Sequence, residues 1–136
     1  MALDLSSFKK TIVALEESLT IYNKFKGTDE KHERSLKRGA IQAFVISYEM
    51  ARKMLVRYLK EYYDENFDQM PIRDIFRYGQ RVGILSDAEK WFTYKNNRDN
   101  SSHTYDLSIA DQVFYATDDF LQEAQYVLEQ MEQKIK

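Results

Sequence analysis

The chain contains no cysteine. That excludes disulfides, thiol nucleophiles and thiolate metal sites, and it is consistent with a reducing cytoplasm. It has one proline and four glycines in 136 residues. So little turn-forming material favours helices. The four glycines are isolated, so no glycine-rich phosphate loop is present. Only two histidines occur, His32 and His103. They lack metal-ligand spacing and have no cysteine to help them, so neither a metal nor another cofactor is expected. No run approaches the roughly 18 apolar residues of a membrane span. The residues after Met1 form no continuous apolar stretch, so neither a signal peptide nor a membrane partner is expected.

What the chain does have is a sizeable apolar complement, 43% of residues, with ten Tyr, eight Phe and one Trp. That suffices for one core, and residues 1–136 read as a single domain. Net charge is −2, which argues against a general nucleic-acid coat. The charge is unevenly spread. Residues 31–60 carry eight Lys/Arg against two Glu, and residues 101–136 carry two Lys against seven Asp/Glu. Such patterning suits solvated helix faces that attract each other. It equally suits a basic surface for a phosphate-bearing partner.

Apolar spacing of three and four residues marks the helices. Leu5, Phe8, Ile12, Leu15, Leu19 and Tyr22 form one face, with Asp4 or Ser6 as cap and Gly27 as stop. Thr28 to Glu33 reads as a polar connection. A second helix runs from about Arg34 to Tyr63. Gly39 is its weak point, or a place where another backbone comes close. Asp64 to Pro71 is a break. A short helix follows from Ile72 to near Gly83. Ser86-Asp87-Ala88-Glu89 has capping-box spacing, which starts a helix at Asp87 that frays near Asn97. The last helix starts at Asp106 or Ser108 and continues through Val113, Phe114, Thr117, Leu121 and Met131. The expected fold is all-α, an antiparallel up-and-down bundle of four main helices plus one short helix. The aromatic-rich long helices make a homodimer plausible. The acidic pairs Glu16–Glu17 and Asp118–Asp119 read as solvated surface.

The chemistry gathers in Arg98-Asp99-Asn100-Ser101-Ser102-His103-Thr104-Tyr105. This polar run lies at a helix end and its following loop. A guanidinium stabilises phosphoryl charge, an imidazole moves protons near neutral pH, and a phenol is a donor or a nucleophile. In RNA cleavage a base takes the 2′-hydroxyl proton, an acid protonates the leaving 5′-oxygen, and the phosphorane needs a fixed cation. His103 suits the proton work and Arg98 the charge. One imidazole cannot be base and acid at once, so this chemistry asks for two copies facing each other. The plainer alternative is that His103 is a solvated loop residue, Arg98 pairs with Asp99 or Asp106, and Tyr105 packs into the core. A nucleotidyltransferase carries a Gly-Ser turn followed by an Asp-x-Asp metal pair. Neither occurs, so this chain is not itself the transferase.

Arg98-x4-His103-x-Tyr105 resembles the signature of HEPN-domain toxins. The longer run from Arg98 to Asp106 is closer to the nucleotidyltransferase substrate-binding, HepT-like subfamily. So are Gly39-Ala40-Ile41-Gln42-Ala43-Phe44 with Tyr48-Glu49, and Ile72-Arg73-Asp74-Ile75-Phe76-Arg77 before Gly83-Ile84-Leu85. The blocks follow in order along nearly the whole chain. The resemblance implies a dimerising helical bundle and a small nucleotidyltransferase encoded nearby. It implies a metal-independent RNase toxin with Arg98 and His103 catalytic and RNA as substrate. It further implies neutralisation by AMP that the partner attaches to Tyr105. The alternative within the same family is a noncatalytic substrate-binding subunit of a two-component nucleotidyltransferase.

Overall fold

Phe8, Ile12, Leu15, Leu19 and Tyr22 recur at helical spacing and form the buried face of α1, Ser6–Phe25. In this computed structural model, residues 3–135 are described. Gly27, at φ 84°, turns the chain after α1, a conformation that costs glycine little. Asp29 then caps α2, Glu30–Tyr62, through a bond from the Lys31 amide. The second helix thus begins four residues before the expected Arg34. Asp29 as cap and Glu30 and Glu33 in the first turn suit the positive end of the helix dipole. A 3-10 turn, Phe67–Gln69, tucks Phe67 into the core. It leads through Pro71 to α3, Ile72–Arg81.

Helix α4 spans Ala88–Asn100. Its cap is Asp87, which accepts from the Glu89 amide at 3.0 Å. The Ser86 hydroxyl instead donates to Glu123, so the capping box read from Ser86 and Glu89 is not made. The helix passes Asn97, where fraying was expected, because that residue lies inside the fold at 4% exposure. A 3-10 turn, Ser101–His103, follows directly.

The long final helix of the sequence reading is two helices, α5 (Leu107–Tyr115) and α6 (Thr117–Ile135). The Thr117 hydroxyl donates to the Phe114 carbonyl at 2.6 Å, at the break. The all-α expectation holds: six α-helices, two 3-10 turns and no strand occur among the described residues.

Trp91 and Phe120 lie at the centre of the bundle. Phe120 meets Phe44, Tyr94 and Trp91 edge-on, with centroids 5.1, 5.1 and 5.7 Å away. Edge-to-face geometry sets positive ring edges against negative faces. Helix α6 runs antiparallel to α1: Gln125 bonds Glu16, while Thr117 lies beside Leu19. Helix α5 is tied to α2 by Lys37–Asp111 at 3.1 Å. These contacts hold α6 along α1 and α5 against the N-terminal third of α2.

Candidate functional site

Arg98 occupies the last turn of α4. Its Nε donates to Glu49 Oε1 on α2 at 3.1 Å, with the side chain 37% exposed. Glu49 also accepts from Arg52 at 3.2 Å. Arg98 therefore pairs with neither Asp99 nor Asp106. Asp99 instead takes Lys95 at 3.0 Å. Together Tyr48, Glu49, Arg52, Ile72, Lys95, Arg98 and Asp99 line a cleft of about 340 Å³. Burial pushes the Tyr48 phenol well above its ordinary range, so it stays a protonated donor at neutral pH. Its hydroxyl has no hydrogen-bond partner among the described residues.

The turn after Arg98 is built from its own side chains. Ser101 Oγ donates to the Arg98 carbonyl at 2.5 Å and Ser102 Oγ to the Asp99 carbonyl at 3.2 Å. These bonds satisfy carbonyls that a helix end leaves open. The Asp106 amide closes back on the His103 carbonyl at 3.1 Å. Asp106 then caps α5, accepting from the Ser108 and Ile109 amides at 2.9 and 3.4 Å. His103 and Tyr105 project from this closed turn. The imidazole Nδ1 lies 3.3 Å from the Tyr105 hydroxyl, and the rings meet edge-on at 5.9 Å. Which group donates depends on the imidazole tautomer.

Tyr105 is 80% exposed. The alternative in which its ring packs into the core is thus overturned. His32 stands on the first turn of α2 beside Phe25. It is seventeen residues from Glu49, or about 25 Å along the helix. No cluster of three or more metal-ligating side chains occurs among the described residues. No described helix is long and apolar enough to cross a membrane.

Two participants were not singled out by chemistry in the sequence. Glu49 is the one acidic residue between Arg34 and Lys60, and that isolation is the signal that marks it. Asp119 is not plain solvated surface. It accepts from the buried Tyr94 hydroxyl and lies 3.6 Å from the Lys90 ammonium. Burial and then this carboxylate raise the Tyr94 phenol far above its usual range.

Comparison with known proteins follows the same lines. Residues 3–133 match the family described as nucleotidyltransferase substrate binding protein like. A probable ribonuclease HepT of Haemophilus influenzae is 38% identical over 98 residues, covering 71% of this chain and 67% of the relative. A solved structure from Haemophilus influenzae, described as revealing the fold of a substrate-binding domain of a nucleotidyltransferase, superposes with a TM-score of 0.87 at 32% identity. It covers 95% of this chain and 99% of that one. A Thermus thermophilus structure shares the fold, with a TM-score of 0.70 at 24% identity, over 91% and 98% of the two chains. An all-helical chain matched from residue 3 to residue 133 thus belongs to the nucleotidyltransferase substrate-binding-protein-like family, which places it beside HepT-type proteins.

Proposed function

We propose that this chain is a metal-independent endoribonuclease toxin, paired with a small nucleotidyltransferase that neutralises it. The observation that carries the reading is the exposed Tyr105 hydroxyl 3.3 Å from the His103 imidazole, on the turn that begins at Arg98. Support also comes from the relative named as a probable ribonuclease. In the reaction an imidazole takes the 2′-hydroxyl proton and the oxygen attacks the adjacent phosphorus. The P–O5′ bond breaks, an acid protonates O5′, and a 2′,3′-cyclic phosphate remains. Arg98 stabilises the charge of the phosphorane. Two copies facing each other as a homodimer supply one His103 as base and the other as acid.

Neutralisation uses Tyr105. Its phenolic oxygen attacks the α-phosphorus of ATP on the partner, pyrophosphate leaves, and the phenolic proton passes to a base on the transferase. The added phosphodiester places negative charge and bulk beside the turn and competes with RNA for the Arg98 cation.

The test is cleavage of RNA by the purified chain with EDTA present. Activity should persist, and His103→Ala or Arg98→Ala should each reduce it by about 10²–10⁴. Circular dichroism should show unchanged helicity in both variants. Loss of activity in EDTA, or normal cleavage by His103→Ala, would overturn the assignment. A second reading, a noncatalytic substrate-binding subunit of a two-chain nucleotidyltransferase, draws on the family description and on the solved Haemophilus domain. It expects no RNA cleavage and no effect of His103.

A further inference from the structure

Cations line the Arg98 cleft from two helices. Arg52 comes from α2, and Lys95 and Arg98 from α4. Helix α3 adds more, because its first residue, Ile72, lines the same cleft. On the first two turns of α3, the guanidinium carbons of Arg73 and Arg77 lie 4.9 and 5.4 Å from the centroid of the Phe92 ring. Phe92 and Lys95 share one ridge of α4 at i and i+3, and Arg98 follows six residues after Phe92, about 9 Å along the axis. Through the Phe92 ring the α3 guanidiniums thus adjoin the α4 ridge that carries Lys95 into the cleft, and the five cations make up one strip.

Three features make this strip a ligand surface rather than a solvated helix face. A guanidinium stacked on an aromatic ring is fixed in orientation and keeps its N–H edges for a phosphate. Among the described residues, ion pairs join four of the five cations, Arg52, Arg77, Lys95 and Arg98, to three carboxylates, Glu49, Asp74 and Asp99. Those pairs are one-third to two-thirds exposed. Pairs of that kind are worth about 0–1 kcal/mol, so an incoming phosphate displaces them cheaply. Finally, Tyr48, 2% exposed, is one of the residues lining the cleft, and its hydroxyl is buried without a hydrogen-bond partner among the described residues. A buried donor without a partner costs free energy that a ligand oxygen would recover.

We propose that the strip from Arg73 and Arg77 across Lys95 to Arg52, floored by Tyr48, is the track that holds the RNA backbone beside the phosphate engaged by Arg98. This rests on the reading of the chain as a ribonuclease and names the surface that seats its substrate. Sequence-independent phosphate contacts of this kind predict binding that weakens steeply with salt.

The test is fluorescence anisotropy with a labelled 2′-O-methyl oligoribonucleotide, which lacks the nucleophilic hydroxyl, titrated between about 50 and 200 mM KCl. Arg73→Gln with Arg77→Gln should weaken binding about tenfold and lower the magnitude of the log–log salt slope by about 1.4, two phosphate contacts at about 0.7 each. Tyr48→Phe should weaken binding about 3- to 10-fold with the slope unchanged. Its thermal midpoint should stay level or rise, since an unpaired buried hydroxyl is removed. Lys9→Gln with Lys10→Gln, on α1, should bind as the parent does. Parental affinity and slope in the Arg73/Arg77 variant at unchanged helicity overturn the track, as does parental affinity in Tyr48→Phe or no binding by the parent chain. Parental cleavage by the Arg73/Arg77 variant would sink the track and leave the ribonuclease reading standing. Salt-dependent binding without any RNA cleavage would do the reverse.

Discussion

Tyr105 is 80% exposed in a chain whose other prominent tyrosines, Tyr48, Tyr58 and Tyr94, are buried. Its near neighbour is the His103 imidazole. Nothing in packing holds Tyr105 where it is. Tyr105→Phe should therefore fold as the parent does, within about 0.5 kcal/mol by denaturant titration. Incubated with the partner transferase, ATP and Mg²⁺, the parent should gain one AMP on the peptide carrying Tyr105, and the Phe variant none. AMP mapped to another tyrosine by peptide mass spectrometry would remove Tyr105 from the mechanism. The candidate triplet was legible because its members lie within eight residues. Glu49 was not legible as a partner, because it meets Arg98 across 49 positions of sequence and only packing of α2 on α4 joins them.

Helices were legible wherever apolar residues kept step with 3.6 residues per turn, but the Asp29 cap of α2 went unread because no apolar residue follows it in the first turn. Asp106, one of the two expected starts, caps α5, whereas the cap of α4 is Asp87 rather than the Ser86 of the capping-box reading. The α5–α6 break was not legible. Its C-cap is Ala116, in right-handed helical backbone, with no glycine or proline to announce it. Val113, Phe114, Thr117 and Leu121 are buried on both sides of the break, so the apolar stripe crosses it undisturbed. Glycines divide by what surrounds them. A Cβ at Gly79 would stand 3.0 Å from Leu85 Cγ and 3.3 Å from Leu55 Cδ1, whereas one at Gly39 would meet nothing within 4 Å. Gly79→Ala should lower stability by about 1–3 kcal/mol through crowding of α3 against the Leu85 turn. Gly39→Ala, in the exposed interior of α2, should raise it by about 0.5–1 kcal/mol. Urea melts of the two variants give the signs directly. If Gly39→Ala destabilises, another backbone packs there in solution.

At the scale of the molecule, burial raises the phenols of four of the ten tyrosines, Tyr22 and, more strongly, Tyr48, Tyr58 and Tyr94, with Asp119 adding to the effect at Tyr94. A group whose folded pKa is raised stabilises the fold fully below its unfolded value, here 10.0. That contribution is lost as pH rises through and above it. Through these four groups, stability should be flat below about pH 10 and decline above it. Tyrosinate absorbance should develop in two stages, the second coinciding with loss of helical circular dichroism. Full ionisation with helicity intact would contradict the burial of these rings. Shared catalysis also requires two chains. Sedimentation at micromolar concentration should give a species of twice 16.2 kDa, and a clean monomer would remove the two-imidazole mechanism.

The turn from Arg98 to Asp106 makes its own hydrogen bonds, through Ser101, Ser102 and Asp106. Its shape is therefore carried with it rather than imposed from outside. This makes the interval between guanidinium and imidazole a matter of angular phase. One residue inserted between Arg98 and His103 would swing the imidazole through roughly 100–120° around the helix axis. Both helices would survive, and the two groups would point at different parts of space. The spacing behaves like the teeth of a gear, in which a single extra tooth leaves every part sound and the mechanism out of mesh.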